Sequence, residues 1–197
     1  MKESNLRVMA VNGSLHKNSV TGVALQKIKE LLLEHECHVD ELDFLQEPLP
    51  LFNPDNSYQT PQYVELQMRV EHAEVFLLGT PDYHGSMSSA LKNFLDHFWK
   101  EFSGKLFATV VSSHEKGLTV TDQMRTVARQ CNAWAIPYGV AFMEGTDVKD
   151  GKVVSDRLTQ HLAMLARDLR IYGLVLSHQR QDDLAGTDHC FMARLRK

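Results

Sequence analysis

The feature that most constrains this chain is an apolar run, Leu6-Arg7-Val8-Met9-Ala10-Val11, which ends in a short polar loop and passes directly into a helical pattern. A run that is apolar at nearly every position suits a central parallel strand covered on both faces. Val20, Ala24, Ile28, Leu31 and Leu32 follow at helical spacing, so Ser19 to about Glu36 reads as an amphipathic crossover helix. Between them lies Asn12-Gly13-Ser14-Leu15-His16-Lys17-Asn18-Ser19. A tight hydroxyl-bearing loop before a helix N-terminus is where an α/β protein receives a phosphate, because loop amides and the helix end carry partial positive charge. The loop has neither the Gly-Lys-Ser/Thr of a Walker A motif nor three spaced glycines. A turn followed by a capping residue gives the same local pattern.

The strand-helix alternation recurs along the chain. Cys37 to Leu45 alternates as a more exposed second strand. An irregular segment from Gln46 to Thr60 holds three of the six prolines, a length that suits a lid or an interface element. Thr60-Pro61 opens a second helix reaching about His72, and Ala73 to Gly79 is a third strand. Thr80 to Met87 is a loop, and Ala90, Leu91, Phe94, Leu95, Phe98 and Phe102 mark a third helix. Trp99 extends that stripe as a core or subunit contact. Lys105 to Ser112 is a fourth strand, Ser113 to Gly117 a polar loop, and Val120, Met124, Val127, Ala128 and Cys131 a fourth helical stripe. Ala133 to Met143 contains the fifth strand, and Asp150-Gly151 a hairpin turn. Leu158, Leu162, Leu165 and Leu169 form a last helix ending near Gly173, with a charged tail from Ser177 to Lys197 that is disordered or docks on a second subunit.

Five strands alternating with five helices predict an α/β fold: a doubly wound five-stranded parallel sheet in three layers, α/β/α. Ligands of such sheets sit at the carboxyl ends of the strands, so the polar loops after strands one, three and four should converge. A length of 197 residues suits one such domain. The net charge of -4, with no basic run, argues against nucleic acid or an anionic membrane as partner. Cys37, Cys131 and Cys190 are too far apart for a Cys-x-x-Cys motif and suit a reducing compartment. The polar start, Met1 to Asn5, and the lack of a spanning apolar stretch point to a cytoplasmic protein. No metal site is expected: the ten histidines offer no helical His-x-x-x-His pair, and His189-Cys190 reads as incidental. His35, His38, His72 and His97 read as surface or element-end residues. No Gly-x-Ser-x-Gly elbow suggests a serine hydrolase.

The loop after the third strand is the second chemical landmark: Pro81-Asp82-Tyr83-His84-Gly85-Ser86, followed by Leu91-Lys92-Asn93-Phe94-Leu95-Asp96. A proline-fixed, glycine-relaxed bend beside an aromatic ring is apt for holding the edge of a planar heterocycle. Lys92, Asn93 and Asp96 read as supporting or interface residues. Together with Gly13-Ser14-Leu15-x-Lys17-x-Ser19, and with Ala133-Trp134-Ala135-Ile136-Pro137, this stretch resembles the NAD(P)H-dependent FMN reductase family, a flavodoxin-like group that includes azoreductase-, quinone-reductase- and chromate-reductase-type enzymes. The resemblance spans roughly residues 5 to 175. It implies a flavodoxin-like FMN-binding domain over residues 1–176, with 177–197 as the tail.

The resemblance further implies an FMN cofactor, with NADPH or NADH as co-substrate, and site residues at matching positions. Ser14, His16 and Ser19 would hold phosphate, with Thr21 near the ribityl chain. Pro81, Asp82, Tyr83, His84 and Gly85 would lie along the ring, and Ser112, Ser113, His114 and Gly117 at its pyrimidine side. Tyr83 and His84 are the candidates nearest the reacting edge, although the flavin N5 does the chemistry. The family commonly has arginine where this chain has His16, which implies weaker or pH-dependent FMN affinity unless Lys17 substitutes. The Ser113-to-Gly117 loop lacks the paired glycines common in the family. The implied activity is hydride transfer from NAD(P)H through FMN to a small acceptor in a homodimer or homotetramer. A flavodoxin-like electron carrier and a non-catalytic flavin-binding module are the alternatives.

Overall fold

The computed structural model describes residues 5–114 and 116–196. Its sheet carries β1 (Arg7–Asn12), β2 (His38–Asp43), β3 (Val75–Tyr83), a short β4 (Ser86–Met87), β5 (Leu106–Ser112), β6 (Trp134–Ala135) and β7 (Val140–Phe142). A separate hairpin, β8 (Val148–Lys149) and β9 (Lys152–Val153), follows. The order β2-β1-β3-β5-β6 is parallel throughout, and β7 also pairs with β5. This is the flavodoxin-like doubly wound order, with its switch point between β1 and β3.

Alternation along the strands builds the three layers. Val8, Ala10, Val75 and Leu77 face one core, against α1 (Val20–Leu33) and α5 (Asp156–Ala185). Their neighbours Met9, Val11, Phe76 and Leu78 face the other, against α2 (Pro61–His72), α3 (Ser89–His97) and α4 (Leu118–Gln130). Residues of opposite parity leave a strand on opposite faces, so an unbroken apolar run is what a doubly covered strand requires. Four of the five helices start on a hydroxyl cap: the side chains of Ser19, Thr60, Ser88 and Ser155 accept from Gly22, Tyr63, Leu91 and Leu158 N–H groups.

The expected elements form, with four corrections besides the Thr80–Met87 loop, which is a hairpin: β3 runs on to Tyr83 and pairs with β4 at Ser86–Met87. The fifth strand is two pieces, β6 and β7, because its register against β5 slips by two residues between them, from Leu106 facing Trp134 to Val110 facing Val140. The third helix stops at His97, and Lys100–Phe102 is a separate 3-10 turn, so Trp99 stands 63% exposed while Phe102 is fully buried. His97, at a helix end as expected, is buried rather than on the surface.

The fourth correction concerns the last helix, which runs straight through Gly173 to Ala185. Gly173 is a close-packing site, not a stop: a Cβ there would lie 2.6 Å from Val75 Cγ2 and 3.0 Å from Leu6 Cδ2. The boundary expected at 176/177 therefore falls inside a continuous helix. Ser177 donates to Glu74 Oε1 at 2.5 Å, and Arg180 Nε donates to the Ser103 carbonyl at 2.9 Å. Beyond Gly186 the chain folds back, with Arg196 donating to the Asp183 and Asp188 carbonyls and Met192 buried. Among the described residues no helix is long and apolar enough to cross a membrane.

Candidate active site

A cleft of about 190 Å³ opens at the carboxyl ends of β1, β3, β5 and β7. Ser14, His16, Ser19 and Thr21 line it from the first loop, Pro81, Asp82 and Tyr83 from the second, and Ser112, Ser113 and His114 from the third. The three loops thus converge as the topology requires. Asn18, Val20 and Glu144 line it too, beyond the residues named from the sequence. Glu144 follows β7, so applying the same rule to the last strand would have found it.

The first loop is held by its own side chains. Asn12 Oδ1 accepts from Ser14 N–H at 3.2 Å, Ser14 Oγ from His16 N–H at 3.3 Å, and His16 Nδ1 from Asn18 N–H at 3.2 Å. Because Nδ1 is an acceptor, the ring hydrogen of His16 sits on Nε2. Among the described residues the amides of Leu15, Lys17 and Ser19 meet no protein acceptor, and Val20 and Thr21 are the first two residues of α1, whose N–H groups have none within the helix. An open set of donors at a helix N-terminus, joined by the Ser14 and Thr21 hydroxyls, fits a phosphate group. Lys17 does not line the cleft.

Gly13 joins this loop to the next. Its N–H donates to the Gly79 carbonyl at 2.8 Å, and a Cβ at Gly13 would lie 2.8 Å from that oxygen and from Leu91 Cβ. The Ser88 hydroxyl donates to the Gly13 carbonyl at 2.6 Å, and the Ser88 N–H donates to Thr80 Oγ1 at 2.9 Å. The end of β3 then turns back into β4 through His84 and Gly85, both at positive φ (56° and 74°). Two residues at positive φ between antiparallel strands make the mirror-image turn that matches strand twist, with glycine at the second position.

Asp82 fixes this hairpin: Oδ1 accepts from Gly85 N–H at 2.8 Å and Oδ2 from the Ser113 hydroxyl at 2.9 Å. Gln123 Oε1 on α4 accepts from Ser86 Oγ and Met87 N–H on the other side. His84 and Gly85 shape the turn but are not among the lining residues, so of the two residues named nearest the reacting edge only Tyr83 faces the cleft. Gly117 is likewise structural. At φ 61° it caps α4, where a Cβ would crowd Val111 and Ala141 at 3.1 and 3.2 Å. Glu115 of this loop lies outside the described residues.

The turn that carries Glu144 is braced by a buried carboxylate. Asp147 Oδ2 accepts from Met143 N–H at 3.0 Å and from Arg157 at 2.9 Å. Burial alone would raise the Asp147 carboxyl, but the Met143 N–H, the Ser155 hydroxyl and Arg157 outweigh it and hold it below the usual carboxylate range.

Comparison with known proteins agrees with this geometry. The model of the family described as NADPH-dependent FMN reductase matches residues 6–147. An NADPH azoreductase of Bacillus sp. (strain OY1-2) is 32% identical over 155 residues, 77% of this chain and 84% of its own. An FMN-dependent NADPH-azoreductase of Staphylococcus aureus is 26% identical over 146 residues, 69% and 76% of the two chains. Among solved structures, an NADH:FMN oxidoreductase in its apo form superposes with a TM-score of 0.71 at 16% identity, covering 85% of this chain and 90% of that one. With the family model matching well over half its length, the chain belongs to the NADPH-dependent FMN reductase family.

Proposed function

We propose that this chain is an FMN-dependent reductase that takes reducing equivalents from NADPH or NADH and delivers them, by ping-pong turnover, to a small acceptor. A free flavin, a quinone, an azo compound or a metal oxyanion is the acceptor class. The observation that carries the reading is the open donor set of the first loop, at the switch point of a flavodoxin-like sheet. Bound FMN supplies reversible two-electron chemistry at its ring.

The residues do the rest. The Ser19, Val20 and Thr21 amides, with the Ser14 hydroxyl and the Nε2–H of His16, hold the phosphate. Thr21 lies on the path from that end toward the ring. Pro81 to Tyr83 supply a rigid backbone edge, fixed through Asp82 on Gly85 and Ser113. Ser112, Ser113 and His114 close the opposite edge. No side chain needs to act as an acid or base. The protein's contribution is orientation. The half-exposed ring of Tyr83 at the mouth gives an aromatic face to an incoming planar substrate. We further propose a cytoplasmic homodimer or homotetramer.

Steady-state NADPH and NADH oxidation by FMN-loaded protein, across quinones, free flavins, azo dyes and metal oxyanions, tests this. Turnover that requires FMN and saturates with at least one acceptor is expected. A protein that binds FMN but oxidises neither nucleotide with any acceptor would refute it.

A further inference from the structure

The largest cavity described, about 550 Å³, is not the cleft above and shares no lining residue with it. It lies between the Ser57–Gln59 turn, the start of α2, the end of α3 and the returning C-terminal segment, where Arg194 and Leu195 form one wall. Its other walls are aromatic. Tyr63 and Phe98 stack nearly parallel, 14° apart with ring centroids at 5.4 Å, and Tyr58 meets Tyr63 edge-on at 5.2 Å.

Two almost fully buried polar side chains on its lining are left incomplete. His97 is 3% exposed, and its Nδ1 lies 2.8 Å from the Asn93 carbonyl. A carbonyl only accepts, so Nδ1 carries a hydrogen, and Nε2 has no protein partner among the described residues. Tyr63 is 7% exposed, and its hydroxyl likewise has no protein partner among them. At the rim Trp99 is fixed rather than loose, because its Nε1–H donates to the Gln130 carbonyl at 3.1 Å.

Charge decides the ligand. Asp96 is bonded through both oxygens to Lys92, and Glu101 accepts from Trp99 N–H and Gln67. Lys100 and Arg194 make no ion pair with any described residue. Asp96 is paired with a cation and Glu101 is held only by neutral donors, so among the described residues two unpaired cations face one unpaired carboxylate in this groove. Parallel rings, a pinned indole, two inward hydrogen-bonding groups and unpaired rim cations together favour a flat aromatic anion.

We propose that this groove is a second small-molecule site, which takes a planar aromatic ligand bearing one anionic group. It is independent of the flavin reading, since none of its residues touches the cleft.

The test uses the full chain loaded with saturating FMN, with 2-naphthalenesulfonate and the neutral 2-naphthalenesulfonamide as probes, read by calorimetry and by tryptophan fluorescence. The sulfonate should bind once per chain, and about tenfold more tightly than the sulfonamide. A K100Q/R194Q double variant should lose about tenfold in sulfonate affinity while retaining its FMN. Tyr63→Phe, which removes only the hydroxyl, should lose a few-fold with unchanged melting. Equal affinity for the two probes, an unaffected double variant, displacement of the sulfonate by excess NADPH, or no binding would each overturn the proposal. So would a Trp99 that is shielded from acrylamide without any probe and becomes accessible on dilution, because a second copy of the chain would then fill the groove.

Discussion

The Ser88 hydroxyl donates to the carbonyl of Gly13, 75 residues earlier in the chain, at 2.6 Å. The same oxygen accepts from the Leu91 N–H and so caps α3. One buried hydroxyl therefore starts a helix and ties the first cleft loop to the second.

Ser88→Ala removes the cap and leaves the Gly13 carbonyl without its partner. The two losses together cost about 2 kcal/mol, a fall of about 4–8 °C in melting temperature for a domain of this size. Gly13→Ala should cost more, because its methyl group meets a backbone carbonyl and another Cβ, neither of which can rotate away. Thermal unfolding followed by circular dichroism measures both. A Gly13→Ala protein as stable as the parent would contradict the packing described.

Asp82 bonds through its two oxygens to the β3–β4 turn and to the loop after β5. Asp82→Ala should release both while leaving the cores intact, so melting falls modestly and FMN affinity falls by about tenfold or more. Ser113→Ala breaks only one of these links and should show a smaller loss. Flavin fluorescence titration of the two variants gives the order. An unchanged affinity in Asp82→Ala would mean that the turn holds itself.

His16 offers one donor, Nε2–H, because its other ring nitrogen is occupied by the Asn18 N–H. Arginine there would add a permanent, forked charge. His16→Arg should tighten FMN by about tenfold, read by flavin fluorescence titration. Equal affinity in the two proteins would show that the side chain at this position does not reach the phosphate.

At the opposite end of the sheet Lys105 is buried, with its ammonium donating to the Val70 and Glu71 carbonyls at 2.8 and 2.9 Å. Burial, reinforced by Arg180, lowers it from 10.5 to about 7. Between these values the unfolded chain holds a proton that the folded chain has released. Stability should therefore rise with pH from about 7 towards 10.5, by up to about 1.4 kcal/mol per pH unit, and the penalty should be fully present below about 7. Lys105→Met should flatten that slope in urea titrations at several pH values. A slope that persists would have to come from other groups.

Local pattern encodes much of this molecule. The run from Leu6 to Val11 and the one from Val75 to Leu78 had to be central strands, because both parities are apolar. The hydroxyl caps followed from residue type and position. What escaped it depends on tertiary neighbours. Gly173 looks like a helix stop until Val75 and Leu6 are seen pressing on it. His97 has the composition of a surface residue, yet the rings of Phe52, Tyr63 and Phe98 close over it. Within the cleft, the residues that line it were legible where a loop directly follows a strand. His84 and Gly85 carried the same motif, but their backbone conformation spends them on the turn.

Asn93 was read as a supporting residue, and its bonds give it a defined task. Its Oδ1 accepts from Phe52 N–H at 2.7 Å, and its Nδ2 donates to the Leu49 and Pro50 carbonyls at 3.3 and 2.9 Å. One α3 side chain thereby pins the proline-rich segment after β2, whose Leu51 stands exposed beside the exposed Leu15 of the first cleft loop. An Asn93→Ala variant loses all three bonds at once, and local backbone order depends on such anchors when few apolar contacts back them. Residues 46–56 should then become the first site of limited proteolysis. FMN affinity should stay near that of the parent, because Asn93 and its partners Leu49, Pro50 and Phe52 do not line the cleft, while KM for bulky acceptors shifts more than kcat. An Asn93→Ala protein that resists protease like the parent would show that the prolines alone hold the segment.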